Sequence, residues 1–226
     1  KSENLQHLFN NDRYGLKCFT SLCKNCLSLQ NNPRISDIAI NKFHESDLYW
    51  SNYVTKNYSE KFNIKFELKP YESLNTSKYT KTLFFDFINS MRLNYNTVFE
   101  VGCAGGWNLI PFQKIGKECF GYEPSTFFIK DEVSDKIFHG SFNEIKGQYD
   151  LVILKHVLEH VSDPINFLLK VRDKCKKYIY IEVPGVKNKL PSIQMAHMFY
   201  FNEDELLYLF NRSGFKVIKL ITVKSN

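Results

Sequence analysis

The residues with the clearest capacity for chemistry lie between Val98 and Ser125. A strand-forming run carries an acid, Glu100, and then breaks into Gly102, Ala104, Gly105 and Gly106. A strand that ends in glycines and restarts as a helix turns backbone N–H groups and a helix N-terminus towards a ligand, with few Cβ atoms in the way. Glycine-rich turns serve several nucleotide chemistries, so the spacing decides between them. A dinucleotide fingerprint requires G-x-G-x-x-G. Counted from Gly102, this frame offers Ala104 and Trp107, and an indole cannot stand where a third glycine packs helix against strand. A second acid, Glu123, follows Gly121 and Tyr122 and precedes Pro124, 23 residues after Glu100. At the end of a second strand, a carboxylate is placed to accept hydrogen bonds from both ribose hydroxyls. The expected ligand is therefore a single nucleoside.

His156, Glu159 and His160 spell H-x-x-E-H, a pattern that on an uninterrupted helix holds zinc and supplies a glutamate base. Here the pattern starts at the end of the apolar run Asp150–Leu154 and is interrupted by Asp163-Pro164. The match is read as coincidental, and no metal ligand is assigned in this region. His160 is read as structural.

These residues need a scaffold, and the chain supplies alternating elements from about Tyr79 onward. Thr82–Met91 reads as an amphipathic helix with Leu83, Phe84, Phe87 and Ile88 on one face. Thr97–Val101 is a buried strand, Trp107–Ile115 a helix, Glu118–Tyr122 a second strand, Thr126–Glu132 a second helix and Lys136–Phe138 a short third strand. The run Asp150–Leu154 has the unbroken apolarity of a central parallel strand. Ser162-Asp163-Pro164 opens a helix expected to run through Lys177, with Ile165, Leu168, Leu169 and Val171 inward. Tyr178–Val183 is the next strand. Asn202 and Glu205 form a capping box for a helix ending near Gly214, and Phe215–Val223 is expected as a last strand. The alternation predicts an α/β fold with a Rossmann-like, doubly wound, mostly parallel sheet. Residues 76–226 are expected as that domain, and residues 1–75, polar, aromatic-rich and without period, as an irregular N-terminal extension.

Composition narrows the setting. Of 226 residues, 43% are apolar and 24% charged, which suits a globular chain rather than a disordered one. No apolar run approaches the roughly 18 residues that span a bilayer, so no membrane span is expected. The net charge of +6 is scattered, and does not select a polyanionic partner. Cys103, Cys119 and Cys175 lie in apolar contexts typical of buried free thiols, which together with the lack of a secretion signal favours the cytoplasm.

From Tyr79 to Ile218 the chain resembles the class I methyltransferases, in particular the bacterial small-molecule group with a Leu-Glu-His signature after the fourth strand. The motifs that carry the resemblance stand here as EVGCAGG, GYEPS, HGSFNEI, YDLVILKHVLEHV and HMFYFNEDELLYLFNRSGF. The resemblance implies S-adenosylmethionine as cofactor. Glu100, Gly102, Ala104 and Gly106 would form its cradle, and Glu123 and Pro124 its ribose end. Many relatives carry an aspartate near adenine where this chain has Ser141 and Phe142, so stacking on Phe142 and backbone N–H contacts are expected instead. Lys155 and His156 would emerge beside the sulfonium methyl. His197 falls in the group's recurring His-aromatic stretch, on the expected acceptor side. His197 and His156 are the candidates for acid–base work, since an imidazole with a pKa of ~6.5 suits removal of a hydroxyl proton.

The resemblance also implies the acceptor class. No Asn/Asp-Pro-Pro-aromatic tetrapeptide follows the fourth strand, which argues against nucleic-acid bases as substrate or partner. A small-molecule acceptor is expected, preferably a hydroxyl of a sugar or glycan precursor. Carbon methylation of a nucleotide-linked sugar and a non-catalytic nucleoside-binding module are the alternatives. Cys23 and Cys26, followed by Asn32-Pro33-Arg34, resemble one knuckle of the zinc ribbon that some relatives carry. The other C-x-x-C pair is missing, and neither Cys18 nor His7 has regular spacing, so a degenerate knuckle is expected in preference to bound zinc. Tyr49, Trp50 and Tyr53 are expected as a lid or a packing cluster.

Overall fold

The computed structural model describes residues 4–12, 15–25, 28–46, 83–127, 134–185 and 193–223. Internal packing divides the chain into two units: residues 1–40, 156–170 and 182–226, and residues 41–155 and 171–181.

The second unit contains the parallel sheet. Its strands are β4 (Thr97–Val101), β5 (Glu118–Tyr122), β6 (Ile137–Phe138), β7 (Tyr149–Lys155) and most of β8 (Cys175–Glu182), in the order β6-β5-β4-β7-β8. β4 pairs in parallel with β5 and with β7, and β5 with β6. The chain builds outward from β4 through β5 to β6, then returns to β7 on the other side. The reversal between β4 and β7 is a topological switch point, where ligands of open α/β sheets enter at the carboxyl ends of strands. Both strands are buried on both faces: Val98, Phe99, Val152, Ile153 and Leu154 are fully enclosed. Helix α2 (Leu83–Ser90) presents Phe84, Phe85 and Ile88 to this core, and the Phe85 ring meets Phe112 edge-on at 4.9 Å. Phe112 comes from α3 (Ile110–Lys114), which follows a turn of 3-10 helix at Trp107–Leu109. The helix expected over Trp107–Ile115 is thus two short pieces.

Asp150 ties the strand ends together. Its Oδ2 accepts the Asn96 and Thr97 N–H groups at 2.8 and 3.4 Å, its own N–H donates to Thr97 Oγ1 at 2.8 Å, and Lys177 Nζ lies 3.2 Å from Oδ1.

The first unit is built on an antiparallel sheet of β1 (Leu5–Asn11), β2 (Lys17–Cys23), β3 (Leu29–Asn31) and β9 (Phe199–Tyr200), in that order. The expectation of an irregular segment over residues 1–75 is corrected for its described part, which ends at residue 46. Three strands are present, and α1 (Asp37–Glu45) follows them. β1 is largely exposed, whereas β2 buries Cys18, Thr20 and Ser21, and β3 finds its outer partner far along the chain, with Leu29 opposite Tyr200 and Gln30 opposite Phe199. Helix α5 (Glu203–Arg212) starts with the expected capping box: Glu205 N–H donates to Asn202 Oδ1 at 2.9 Å and Asn202 N–H to Glu205 Oε2 at 2.8 Å.

Three further expectations differ from the structure. The helix opened by Pro164, α4 (Pro164–Arg172), stops before Lys177, and Cys175–Lys177 belong to β8. Phe215–Val223 forms no strand; Ile218, Ile221 and Val223 are exposed, and among the described residues no strand pairs with the segment to satisfy its backbone. The helix expected at Thr126–Glu132 falls mostly outside the described residues, as do Cys26, Tyr49, Trp50 and Tyr53. Among the described residues no helix is long and apolar enough to cross a membrane.

Candidate nucleoside site and histidine cluster

β4 delivers Glu100 into the sheet interior, fully buried. Past Val101 the backbone enters the left-handed region at Gly102 (φ 69°), Ala104 (φ 50°) and Gly106 (φ 80°). Glycine adopts that region freely, whereas alanine does so at a cost of roughly 1–2 kcal/mol. Two tethers hold the turn. The N–H groups of Gly102 and Cys103 donate to Tyr122 O at 2.7 and 3.0 Å, and Ala104 N–H donates to Glu123 Oε2 at 2.8 Å. Glu123, at the end of β5, is itself buried, and its Oε1 accepts Ser125 N–H at 3.0 Å. Burial pushes its carboxyl pKa up, opposed by the bonds from Ser125 and Ala104. A carboxylate offers about four acceptor positions. Two are used by the turn, which leaves capacity for the two hydroxyls of a ribose.

Glu100 is engaged on one side. Its Oε1 accepts Asn108 Nδ2 at 2.7 Å, while Oε2 is buried without a hydrogen-bond partner. Burial pushes its pKa up to about 8, with the Asn108 bond and the Lys155 charge acting in the opposite direction. Lys155, at the carboxyl end of β7, places Nζ 5.8 Å from the Phe84 ring centre. An orphaned buried oxygen beside a left-handed cradle, with a second acid at the neighbouring strand end, fits a cationic ligand that carries a nucleoside.

The end of β5 also carries aromatic surface. The Tyr122 and Phe142 rings meet edge-on at 5.3 Å, and Tyr122 Oη donates to Gly140 O at 3.0 Å. Phe142 begins a 3-10 turn whose N-cap is Ser141; the exposed Ser141 accepts Asn143 N–H at 3.3 Å. Pro124 is half-buried between Glu123 and Ser125. Ser125 and Asn108 were not expected from sequence. Asn108 follows Glu100 by eight residues across a turn, a separation that no strand or helix period flags.

The first unit holds His156, His160 and His197. His156 adopts φ 56°, a strained value for a residue with a Cβ, and its N–H donates to Glu182 O at 2.9 Å. Its ring lies between two carboxylates, with Nδ1 3.5 Å from Glu159 Oε1 and Nε2 3.2 Å from Glu182 Oε1. Glu182, at the end of β8, belongs to no motif in the sequence. His160 and His197 meet ring to ring, edge-on at 4.8 Å, and His160 Nδ1 lies 3.0 Å from Ala196 O. His197 is buried. Sequence reasoning treated His160 and His197 separately; the structure brings them together beside Glu159.

Residues 71–220 match the family model of a methyltransferase domain. The chain belongs to that family. It is a class I, S-adenosylmethionine-dependent methyltransferase. No curated protein matches it by sequence. Among solved structures, the chain is similar to magnesium protoporphyrin IX methyltransferase from Synechocystis PCC 6803 with bound SAM, at 13% identity over 83% of this chain and 90% of that one, with a TM-score of 0.55. It is also similar to a SAM-dependent methyltransferase from Aquifex aeolicus, at 15% identity over 70% of this chain and 94% of that one, with a TM-score of 0.51. A third, the plantazolicin methyltransferase BamL in complex with a triazolic desmethylPZN analog and SAH, gives 14% identity, 77% and 72% coverage and a TM-score of 0.50. At such identities the likeness is one of fold.

Proposed function

We propose that this enzyme methylates a small molecule, preferably at a hydroxyl of a sugar or glycan precursor. Bound S-adenosylmethionine supplies an electrophilic methyl on a sulfonium. The observation that carries our assignment of its site is Glu123, a buried carboxylate that both shapes the glycine-rich turn and retains acceptor capacity at the end of β5. Glu123 and Pro124 take the ribose. Glu100, Gly102, Ala104 and Gly106 take the amino-acid portion, whose ammonium group favours an ionised Glu100. Phe142 stacks on adenine and Ser141 supports that turn. Lys155 borders the site at the end of β7.

Methyl transfer is an in-line displacement in which alignment supplies most of the acceleration. What the acceptor needs from the chain is positioning and loss of its hydroxyl proton. His156 is our first choice for the proton, because its strained backbone and two flanking carboxylates hold an exposed imidazole in one orientation. His197 acts on the acceptor side. The similar folds include a magnesium protoporphyrin IX methyltransferase and a plantazolicin methyltransferase, so fold does not choose the acceptor.

The test is turnover with S-adenosylmethionine against sugars, nucleotide-linked sugars, porphyrins and peptides, read as adenosylhomocysteine released and methyl gained. Methylation of a sugar hydroxyl supports the reading. Methylation at a sugar carbon supports the nearest variant, and turnover confined to porphyrins or peptides overturns the acceptor class.

A further inference from the structure

One carboxylate in the first unit is buried without hydrogen bonds. Glu159 is 2% exposed, and neither Oε1 nor Oε2 has a hydrogen-bond partner. The His156 ring nitrogen at 3.5 Å from Oε1 lies beyond good hydrogen-bond length. An ionised carboxylate held this way costs several kcal/mol, and proteins retain such groups when a counter-charge or a metal compensates them.

The surroundings are those of a ligand set. One ligand atom from each of Glu159, His160 and His197 lies within 4.8 Å of the other two. The contact of His160 Nδ1 with Ala196 O fixes that ring's tautomer. A carbonyl oxygen only accepts, so Nδ1 carries the hydrogen and Nε2 carries the lone pair. Metal-binding histidines are commonly oriented in this way, by a bond from the other ring nitrogen. The backbone around the cluster is held as well. Met198 N–H donates to Glu159 O at 2.7 Å, and the buried Asn31 amide donates to His197 O at 2.6 Å and to Gln194 O at 3.0 Å. A strand residue from the antiparallel sheet thereby positions the loop that carries His197.

We infer that Glu159, His160 and His197 form a binding site for one divalent first-row transition-metal ion. Two imidazoles and one carboxylate suit Zn²⁺, Mn²⁺ or Fe²⁺, whereas Mg²⁺ and Ca²⁺ prefer oxygen ligands throughout. Metal–ligand bonds of about 2.0–2.2 Å place tetrahedral donors ~3.4 Å apart, so metal entry requires donors up to 4.8 Å apart to draw closer. Three protein ligands leave positions open for oxygen donors. With the ion bound, His197 would serve as a ligand rather than as a free base. The site differs from the H-x-x-E-H pattern, which would use His156 and His160 as ligands.

The test uses the full chain, stripped with a chelator, and Co²⁺ alone as probe, without cofactor or acceptor. Calorimetry gives stoichiometry and affinity, visible d–d absorption reports ordered coordination, and thermal unfolding is followed with and without the ion. We expect one equivalent bound with d–d bands and a raised Tm. Glu159→Gln and His197→Ala should each weaken binding at least tenfold, while His7→Ala, on an exposed strand, should leave it unchanged. Absence of d–d bands, or wild-type affinity in both cluster variants, would overturn the site. Cofactor binding, measured separately on the stripped protein, distinguishes failure of the metal site from failure of the methyltransferase reading.

Discussion

The Glu123 carboxylate accepts the Ala104 N–H at 2.8 Å, joining the end of β5 to the non-glycine residue that turns left-handed in the cradle after β4. The same side chain is therefore needed to form the cradle and offered to the ribose. Changes at this acid should alter the shape of the turn as well as the cofactor contact.

Glu100 gives the site a pH signature. Burial holds its carboxyl at about 8 against an ordinary 4.5, so the folded chain keeps a proton that the unfolded chain releases between these values. Its contribution to stability is full below about pH 4.5 and is lost as pH rises through 8. Glu100→Gln should gain stability over the wild type at about pH 8–9 and show little difference near pH 4, as read from denaturant midpoints. A gap independent of pH would contradict the assignment. Binding of a cationic cofactor near pH 7 should also release protons, seen in calorimetry as a dependence on buffer ionisation heat that Glu100→Gln abolishes.

Gly121 faces Cys103 across the turn. A Cβ there would lie 2.5 Å from Cys103 Sγ and 3.2 Å from Ile137 Cγ1. Gly121→Ala should destabilise the fold by about 1–3 kcal/mol and weaken cofactor binding, because relief of the overlap moves the glycine-rich turn. Cys103→Ala in the same chain should recover part of both losses, since it removes the sulfur. A double variant no better than Gly121→Ala would place the strain elsewhere.

Asp150 makes the opposite contribution to pH dependence. The bond from Asn96 N–H, followed by the Lys177 and Thr97 contacts, holds its carboxyl below the usual aspartate range. Its stabilisation is present above the ordinary aspartate pKa and is lost as pH falls through the lowered one. Asp150→Asn should cost about 1.5–3 kcal/mol at neutral pH, and the gap should narrow in acid. A gap of constant size in urea unfolding from neutral to acid pH would show that charge is not the source.

Local patterns carried the parallel sheet. Thr97–Val101 and Glu118–Tyr122 are strands with the expected bounds; the first is a buried run that ends in a glycine-rich turn, and the second is half-buried and ends before Glu123-Pro124. The capping box at Asn202 was legible for a similar reason: two residue types at fixed spacing satisfy each other. Pairings between distant segments were not legible. Nothing in Leu29–Asn31 announces that it will meet Phe199–Tyr200, nor that Asn31 will hold the loop bearing His197. Phe215–Val223 failed in the other direction: its apolar content suggests a strand, but among the described residues no neighbouring strand pairs with it. At the site, acids and glycines could be found from their motif spacing. Asn108, Ser125 and Glu182 act through hydrogen bonds or ion pairs that only the folded backbone defines.

The central claim is best tested by titrating S-adenosylmethionine and adenosylhomocysteine into the wild type and Glu123→Ala by calorimetry. The account predicts one equivalent bound by the wild type, and an affinity weakened by about 1–3 kcal/mol, roughly 5- to 150-fold, in the variant through lost ribose contacts and a loosened turn. No binding by the folded wild type, or an unchanged dissociation constant in Glu123→Ala, would contradict it.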